Sequence, residues 1–243
     1  MMKKLLLIIF LSITVSACKD ACDCFKGTGD VMTEIRSTGN IKSVDLGNNV
    51  DLVVHYDSIP RLRVTAGSHL ISKITTENEN GVLKIRNTNK CNWVRNFDPV
   101  LIVDIWVPTL SGIYVENASG DIAFSDTLTV SDFRLDSYSS TGNYQLKLKE
   151  GIATLAIHNG PADLKAEGNV GTLYLYGVGY GKIDCLQLKT ENAYINNKGT
   201  NGFYVNPISI LEATINGSGN VYYTGSPATI KKTETASGKL IHL

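Results

Sequence analysis

From residue 117 onward the chain repeats itself. Short turns ending in glycine close one apolar stretch and open the next: Asn117-Ala118-Ser119-Gly120, Ser140-Thr141-Gly142, His158-Asn159-Gly160, Gly177-Val178-Gly179, Asn197-Lys198-Gly199, Gly217-Ser218-Gly219 and Ala236-Ser237-Gly238. The closing glycines are 22, 18, 19, 20, 20 and 19 residues apart. Upstream, Gly39, Gly81 and Gly120 fall 42 and 39 apart, about two periods each. Within a period, apolar and polar residues alternate on both sides of the turn, as in Leu173-Tyr174-Leu175 and Phe203-Tyr204-Val205. Alternation of two is the signature of a strand, and no stretch after residue 20 holds a helical period for three turns. A short, glycine-cornered, strand-rich repeat cannot bury its apolar side chains alone. Stacking successive copies gives it a core. The expected fold is therefore all-β, a single-stranded parallel β-helix (β-solenoid) with rungs of about twenty residues. Applied to the whole chain, that period predicts ten or eleven rungs. The competing arrangement is an antiparallel sandwich, for which the Asn-Gly pairs at 159–160 and 216–217 are the best hairpin signals.

Composition narrows the function classes. Lys+Arg and Asp+Glu both number 23, so no basic excess is available to hold nucleic acid. The four histidines are scattered at 55, 69, 158 and 242, and no paired cysteine motif accompanies them, so neither a metal nor another cofactor is expected.

The N-terminus carries an address. Lys3 and Lys4 precede an apolar run from Leu5 to Ile13, too short to span ~30 Å of hydrocarbon. Val15-Ser16-Ala17-Cys18 follows and resembles the bacterial lipobox, in which the cysteine thiol takes a diacylglycerol and becomes the first residue after cleavage. Residues 1–17 then form a lipoprotein signal peptide, 18–30 a lipidated linker and 31–243 the solenoid domain. Partnership with a membrane through lipid on Cys18 and an outer-membrane location, periplasmic or surface-facing, follow from that address. Such a compartment permits disulfides. Cys22 and Cys24 are too close to pair with each other comfortably, and either could reach Cys91; Cys24–Cys91 is the expected pair, closing a loop of about 67 residues. Cys185 sits on a strand pattern and reads as a small core residue.

Longer stretches carry a family likeness. Gly39-Asn40-Ile41-Lys42-Ser43-Val44 leads into Asn49-Val50-Asp51-Leu52-Val53-Val54, and the run from Pro99 to Pro108 leads into Leu110-Ser111-Gly112-Ile113-Tyr114-Val115 and Ser119-Gly120-Asp121-Ile122. With the Cys24–Gly29 start and the Cys91–Arg95 loop, these resemble the family described as "putative auto-transporter adhesin, head GIN domain", common among Bacteroidetes lipoproteins. The resemblance covers roughly residues 24 to 225. It implies a β-solenoid on the cell envelope and brings no catalytic residues with it.

Counting from each turn glycine, even offsets point inward (Leu146, Leu164, Ile183, Phe203) and odd offsets outward. Asp121, Asp163 and Asp184 then share one outer face. Asp163 and Asp184, one rung apart, could reach the separation of paired glycosidase carboxyls, with no basic residue evident beside them. That is the basis of an alternative reading as a polysaccharide lyase or hydrolase. The tyrosines point elsewhere. Tyr174 and Tyr194 share one offset and should stack outward on adjacent rungs, and Tyr176, Tyr204 and Tyr222 also fall at odd offsets. Such a strip can stiffen the rod as a ladder, or meet a sugar or a partner protein. Asn117, Asn159, Asn196 and Asn216 at the corners suit rung-to-rung amide bonds that stabilise the turns; the alternative reading is as sugar contacts. No Gly-x-Ser-x-Gly elbow or phosphate loop is present. The reading that emerges is a lipid-anchored envelope protein, not an enzyme, that binds a glycan or an envelope protein; a purely structural envelope component is the third possibility.

Overall fold

The computed structural model describes residues 27–90 and 99–243. Cys18, Cys22, Cys24 and Cys91 lie outside the described residues, and with them the lipid site and the expected Cys24–Cys91 bridge. Strands make up 63% of the described residues, among which the only helical piece is a 3-10 turn at Ile71–Lys73. Seven strands come first: β1 (Val31–Arg36), β2 (Ser43–Asn48), β3 (Asp51–Tyr56), β4 (Arg61–Gly67), β5 (Ile74–Glu79), β6 (Val82–Asn87) and β7 (Leu101–Val107). Then come β8 (Gly112–Ala118), β9 (Ile122–Phe124), β10 (Leu128–Thr129), β11 (Asp132–Tyr138), β12 (Asn143–Lys149) and β13 (Ile152–Ile157). The last are β14 (Asp163–Gly177), β15 (Ile183–Asn197), β16 (Phe203–Ile215), β17 (Val221–Tyr223), β18 (Thr229–Glu234) and β19 (Leu240–His242).

From β8 on, the chain winds as a parallel β-solenoid of about seven turns with rungs of about twenty residues. Each turn has two walls. Wall one stacks β8, β11, β13, the second halves of β14, β15 and β16, and β18; wall two stacks β9, β12, the first halves of β14, β15 and β16, β17 and β19. The long strands β14 to β16 bend from wall two into wall one. Gly168 makes that bend in β14: its φ is +118°, and a Cβ there would lie 2.0 Å from the Leu148 carbonyl oxygen of the turn below.

The core follows from the two-residue alternation. On wall one, Val44, Ile113, Leu135, Leu155, Leu175, Ile195 and Ala213 pair strand by strand into one column, and all are at most 3% exposed. Leu146, Leu164, Ile183 and Phe203 are buried on wall two, as the offsets from the glycines predict. Each such side chain contributes ~1.5–3 kcal/mol by leaving water. Cys185 is buried in this core, and burial raises its thiol pKa, which keeps it inert.

The turn count corrects the expectation of ten or eleven rungs. Residues 31–107 spend much of their length on strands that do not continue the winding. The rung formed by β2 and β3 is sandwiched: β6 and β7 lie parallel on one side of it, β8 and β9 on the other. Beyond that outermost rung, β4 runs antiparallel to β7, β1 antiparallel to β4, and β5 antiparallel to β6. The sandwich alternative thus fails for the repeat, while antiparallel pairing survives at the N-terminal end as a cover over the first rung.

Candidate functional site

The outward rows place the sequence-predicted residues in two separate groups. Tyr174, Tyr194 and Tyr176 stand on wall one; Asp163, Asp184, Tyr204 and Tyr222 stand on wall two.

On wall one, Tyr174 and Tyr194 are directly paired across β14 and β15, with ring centroids 5.1 Å apart and planes 17° from parallel. The separation is close to the strand spacing of ~4.8 Å, so the stack follows from register alone. Tyr176 occupies the neighbouring row, where it meets His158 at 5.3 Å; His158 stacks on Tyr138 at 4.1 Å and 2°. His158 also bonds Asp136 through Nε2 at 2.7 Å. Burial works to raise the Asp136 carboxyl, but Arg134 and His158 outweigh it and hold it below its ordinary value. Between the Tyr174–Tyr194 row and the Tyr176–Asn196 row runs a groove of about 250 Å³, with strand backbone as its floor.

On wall two, a groove of about 290 Å³ is lined by Asn143, Gln145, Asp163, Lys165, Lys182 and Asp184. Asp163 Oδ1 accepts the backbone N–H of Lys182 at 2.7 Å, one turn on. The same clamp recurs where Asp51 Oδ1 accepts from Asp121 N at 2.8 Å, Asp121 Oδ1 from Asn143 N at 2.7 Å, and Asn220 Oδ1 from Lys239 N at 2.9 Å. Asp163 is therefore one member of a series that ties each corner to the next. Asp184 accepts the Lys182 ammonium at 2.9 Å and the Leu186 N–H at 3.2 Å. This corrects the expectation that no basic residue stands beside the two carboxylates. Lys182 is two residues before Asp184, so the same parity turns both outward. The hydrogen bond to Asp184 raises the Lys182 pKa, and its ammonium lies 4.6 Å over the Tyr204 ring. Tyr204 in turn stacks on Tyr222 at 4.7 Å and 14°.

The corner asparagines divide. Asn159 Oδ1 accepts Ser139 N–H, and Asn216 Oδ1 accepts the Thr235 hydroxyl at 2.7 Å, both rung to rung. Asn117 takes a left-handed φ of 51°. Asn196 does not join the ladder: its Oδ1 is buried without a hydrogen-bond partner among the described residues.

A third constellation was not evident in the sequence. His55 on β3 bonds Asp104 Oδ1 of β7 through Nε2 at 2.8 Å and Ser125 Oγ, just after β9, through Nδ1 at 2.7 Å. Trp106 stacks on His55 at 4.5 Å and 10°, with Arg61 and Arg63 against the indole at 4.8 and 5.0 Å. The connectivity is that of a Ser-His-Asp relay, but the surroundings oppose nucleophilic chemistry. Arg63 takes the charge of buried Asp104 at 3.0 Å, and the Asp126 carboxylate lies 3.0 Å from Ser125 Oγ, where negative charge would have to develop. These residues clamp three adjacent strands. No signal in a linear reading could find them, because positions 55, 104 and 125 meet only through the sandwiched rung.

Among the described residues, no cluster of three or more His, Cys, Asp or Glu side chains is placed to hold a metal ion, and no helix is long and apolar enough to cross a membrane. Residues 40–227 match the profile of the family described as "putative auto-transporter adhesin, head GIN domain". The chain belongs to that family. Similar solved structures include a putative adhesin from Bacteroides fragilis (20% identity, 88% of this chain and 97% of that one covered, TM-score 0.76). A putative lipid binding protein from Parabacteroides distasonis is also similar (21% identity, 89% and 98% covered, TM-score 0.66), as is a putative adhesin from Parabacteroides merdae (18% identity, 89% and 98% covered, TM-score 0.59). At these identities the likeness establishes the fold. Comparison with curated proteins returns no match.

Proposed function

We propose that this protein is a lipid-anchored component of the cell envelope that binds a glycan or a protein partner without transforming it. One observation carries the reading: the outer walls hold side chains in register from turn to turn, with Tyr174 beside Tyr194 and Tyr204 beside Tyr222, so an extended partner meets aligned aromatic and polar groups along the axis. Repetition of weak contacts on a rigid frame multiplies their effect through high local concentration. Membership of an adhesin-named family supports a binding role, and the neighbours named as adhesins and as a lipid binding protein support it in the same sense. The engagement of both Asp163 and Asp184 speaks against their use as a general acid and base, which need a free carboxyl facing substrate. The lipobox at Cys18 supplies the anchor, since two or three acyl chains hold a protein durably on a membrane.

The test has two arms. Full-length protein in detergent is incubated with a panel of plant and microbial polysaccharides and with isolated envelope fractions. Retention without release of reducing sugar or unsaturated product is expected. Product release lost in Asp163→Asn or Asp184→Asn would overturn the binding reading in favour of an enzyme, and retention of nothing would leave only a structural role. In cells, labelled palmitate should enter the protein and be lost in Cys18→Ser, and protease shaving of intact cells reports which side of the outer membrane the solenoid faces.

A further inference from the structure

We infer that β1 is a docking edge for a second copy of this chain. Two solenoids join at their N-terminal ends, β1 antiparallel to β1 about a two-fold axis, so that wall two runs on from one molecule into the next. Among the described residues β1 pairs with β4 alone, which leaves its other edge free. It is also the outermost strand. β7, β4 and β1 carry wall two three strands past the β2–β3 rung, while β6 and β5 carry wall one two. An uncovered edge is a template for another strand, and proteins blunt it where pairing is unwanted. The terminal strands β5 and β18 are blunted. Against β5, Arg36 donates to the Ile74 carbonyl and the Thr76 hydroxyl, and Asn78 donates to the Asn40 carbonyl. β18 carries a lysine on each face, Lys231 and Lys232. β1 keeps its charges on the inward side, where Glu34 and Arg36 pair with each other. Its outward face presents Val31, 61% exposed, and Ile35, 83% exposed.

The strand is complementary to itself in one register. With Thr33 opposite its own copy on the axis, Val31 of each copy lies across from Ile35 of the other, Met32 across from Glu34, and Asp30 across from Arg36. The outward row then holds three β-branched pairs side by side, and no like charges meet. Sliding the copies by two residues keeps the faces matched but sets Glu34 against Glu34, or Asp30 against Glu34; sliding by one turns the faces over. Any extended peptide could use the free N–H and C=O groups of an edge. A second copy is favoured because the side chains of β1 supply their own partners. An anionic lipid surface is met less well: Glu34 and Arg36 cancel within β1, and the neighbouring Arg61 and Arg63 are already paired with Asp57 and Asp104. A six-residue seam is short, so the association is a weak one.

Sedimentation of the full chain, in detergent with micelles in excess over protein, tests this. A monomer–dimer equilibrium should appear across a concentration series up to about 200 μM. Ile35→Lys should raise the dissociation constant at least tenfold, and Ile241→Lys, at the opposite end of wall two, should leave it unchanged. Matched circular dichroism melts report folding. Thr33→Cys places two thiols on the axis, where the Cα atoms of an antiparallel pair are ~4.5–5.5 Å apart, within disulfide reach. Mild oxidation should then give a reducible dimer that the native protein, treated alike, does not form. Glu34→Cys, which faces Met32 rather than itself, should not link. A monomer throughout with no Thr33→Cys link, a dimer indifferent to Ile35→Lys, or a link through Glu34→Cys instead of Thr33→Cys would each overturn the pairing. Vesicle binding that Ile35→Lys abolishes in a protein that stays monomeric would overturn it in favour of a lipid surface. None of these readouts involves a glycan or an envelope partner, so the binding role proposed above stands or falls separately.

Discussion

Residues 31–107 and residues 112–243 solve the same problem, how to stack strands over one core, by different means. In the later region each rung lies on the one made just before it. Register is set by repetition, and the inward column from Ile113 to Ala213 needs only the two-residue alternation. In the earlier region, neighbours in space are distant in sequence, and polar clamps hold them. Arg36 reaches the Ile71 carbonyl at 2.9 Å and Thr76 at 3.2 Å. Arg86 grips the Asp45 carbonyl and carboxylate, both at 2.7 Å. His55, Asp104 and Arg63 tie β3 to β7 and β4. A repeat specifies its own stacking through apolar shape. A non-repetitive end requires residue-specific bonds, because nothing in its sequence period tells one strand from another.

The strongest way to break this contrast is at the glycines. Gly168→Ala forces a Cβ against the Leu148 carbonyl at a φ of +118° and should cost about 3 kcal/mol, read as a shift in the urea midpoint. Gly39→Ala, where the nearest atom would be 3.9 Å away, should leave the midpoint nearly unchanged. Equal effects would refute the tight stacking of the later turns. Next comes the N-terminal clamp. Asp104→Ala leaves Arg63 and His55 without their shared anion and should cost about 2–3 kcal/mol, less than the ~3–5 kcal/mol of a fully buried pair because Arg63 is partly exposed. Adding Arg63→Met should recover part of that loss in a double-mutant cycle.

Asn197 gives a smaller effect at a corner of the repeat. Its amide donates to the Gly219 carbonyl at 3.0 Å and accepts from Gly199 N–H at 2.9 Å, so Asn197→Ala should cost about 2 kcal/mol in the same denaturation experiment. The smallest expected change lies in the final turn. Glu234 accepts the Leu240 N–H and contacts Lys232 and Lys239, which together hold its carboxyl down to about 2. A carboxyl lowered on folding favours the folded state above its unfolded pKa of 4.5 and loses that contribution as pH falls towards 2. Exchange of the Leu240 amide should therefore quicken, after correction for intrinsic rates, as pH falls from about 4.5 to 2. In Glu234→Gln that added acceleration should vanish.

The tyrosine stack at 174 and 194 was legible because equal offsets from successive glycines become equal heights on successive rungs. The role of Asp163 was not. A carboxylate that clamps a corner and one that faces a substrate share the same parity, and only the N–H of Lys182 beneath it separates the two. Asn196 looked like its ladder-forming relatives Asn159 and Asn216, and its difference lies in which atoms surround it.

The linear chain alone determined the strand character, the twenty-residue turn, which side chains face inward and which stack outward, because these depend on periods that each rung carries within itself. Tertiary structure alone decided that β2 and β3 are sandwiched, that β4 and β5 run against the winding direction, and that His55, Asp104 and Ser125 meet. Those outcomes depend on the choice among many apolar strands of equal parity. That choice is made by long-range polar bonds and by the need to cover the exposed end of the core, neither of which has a period to read.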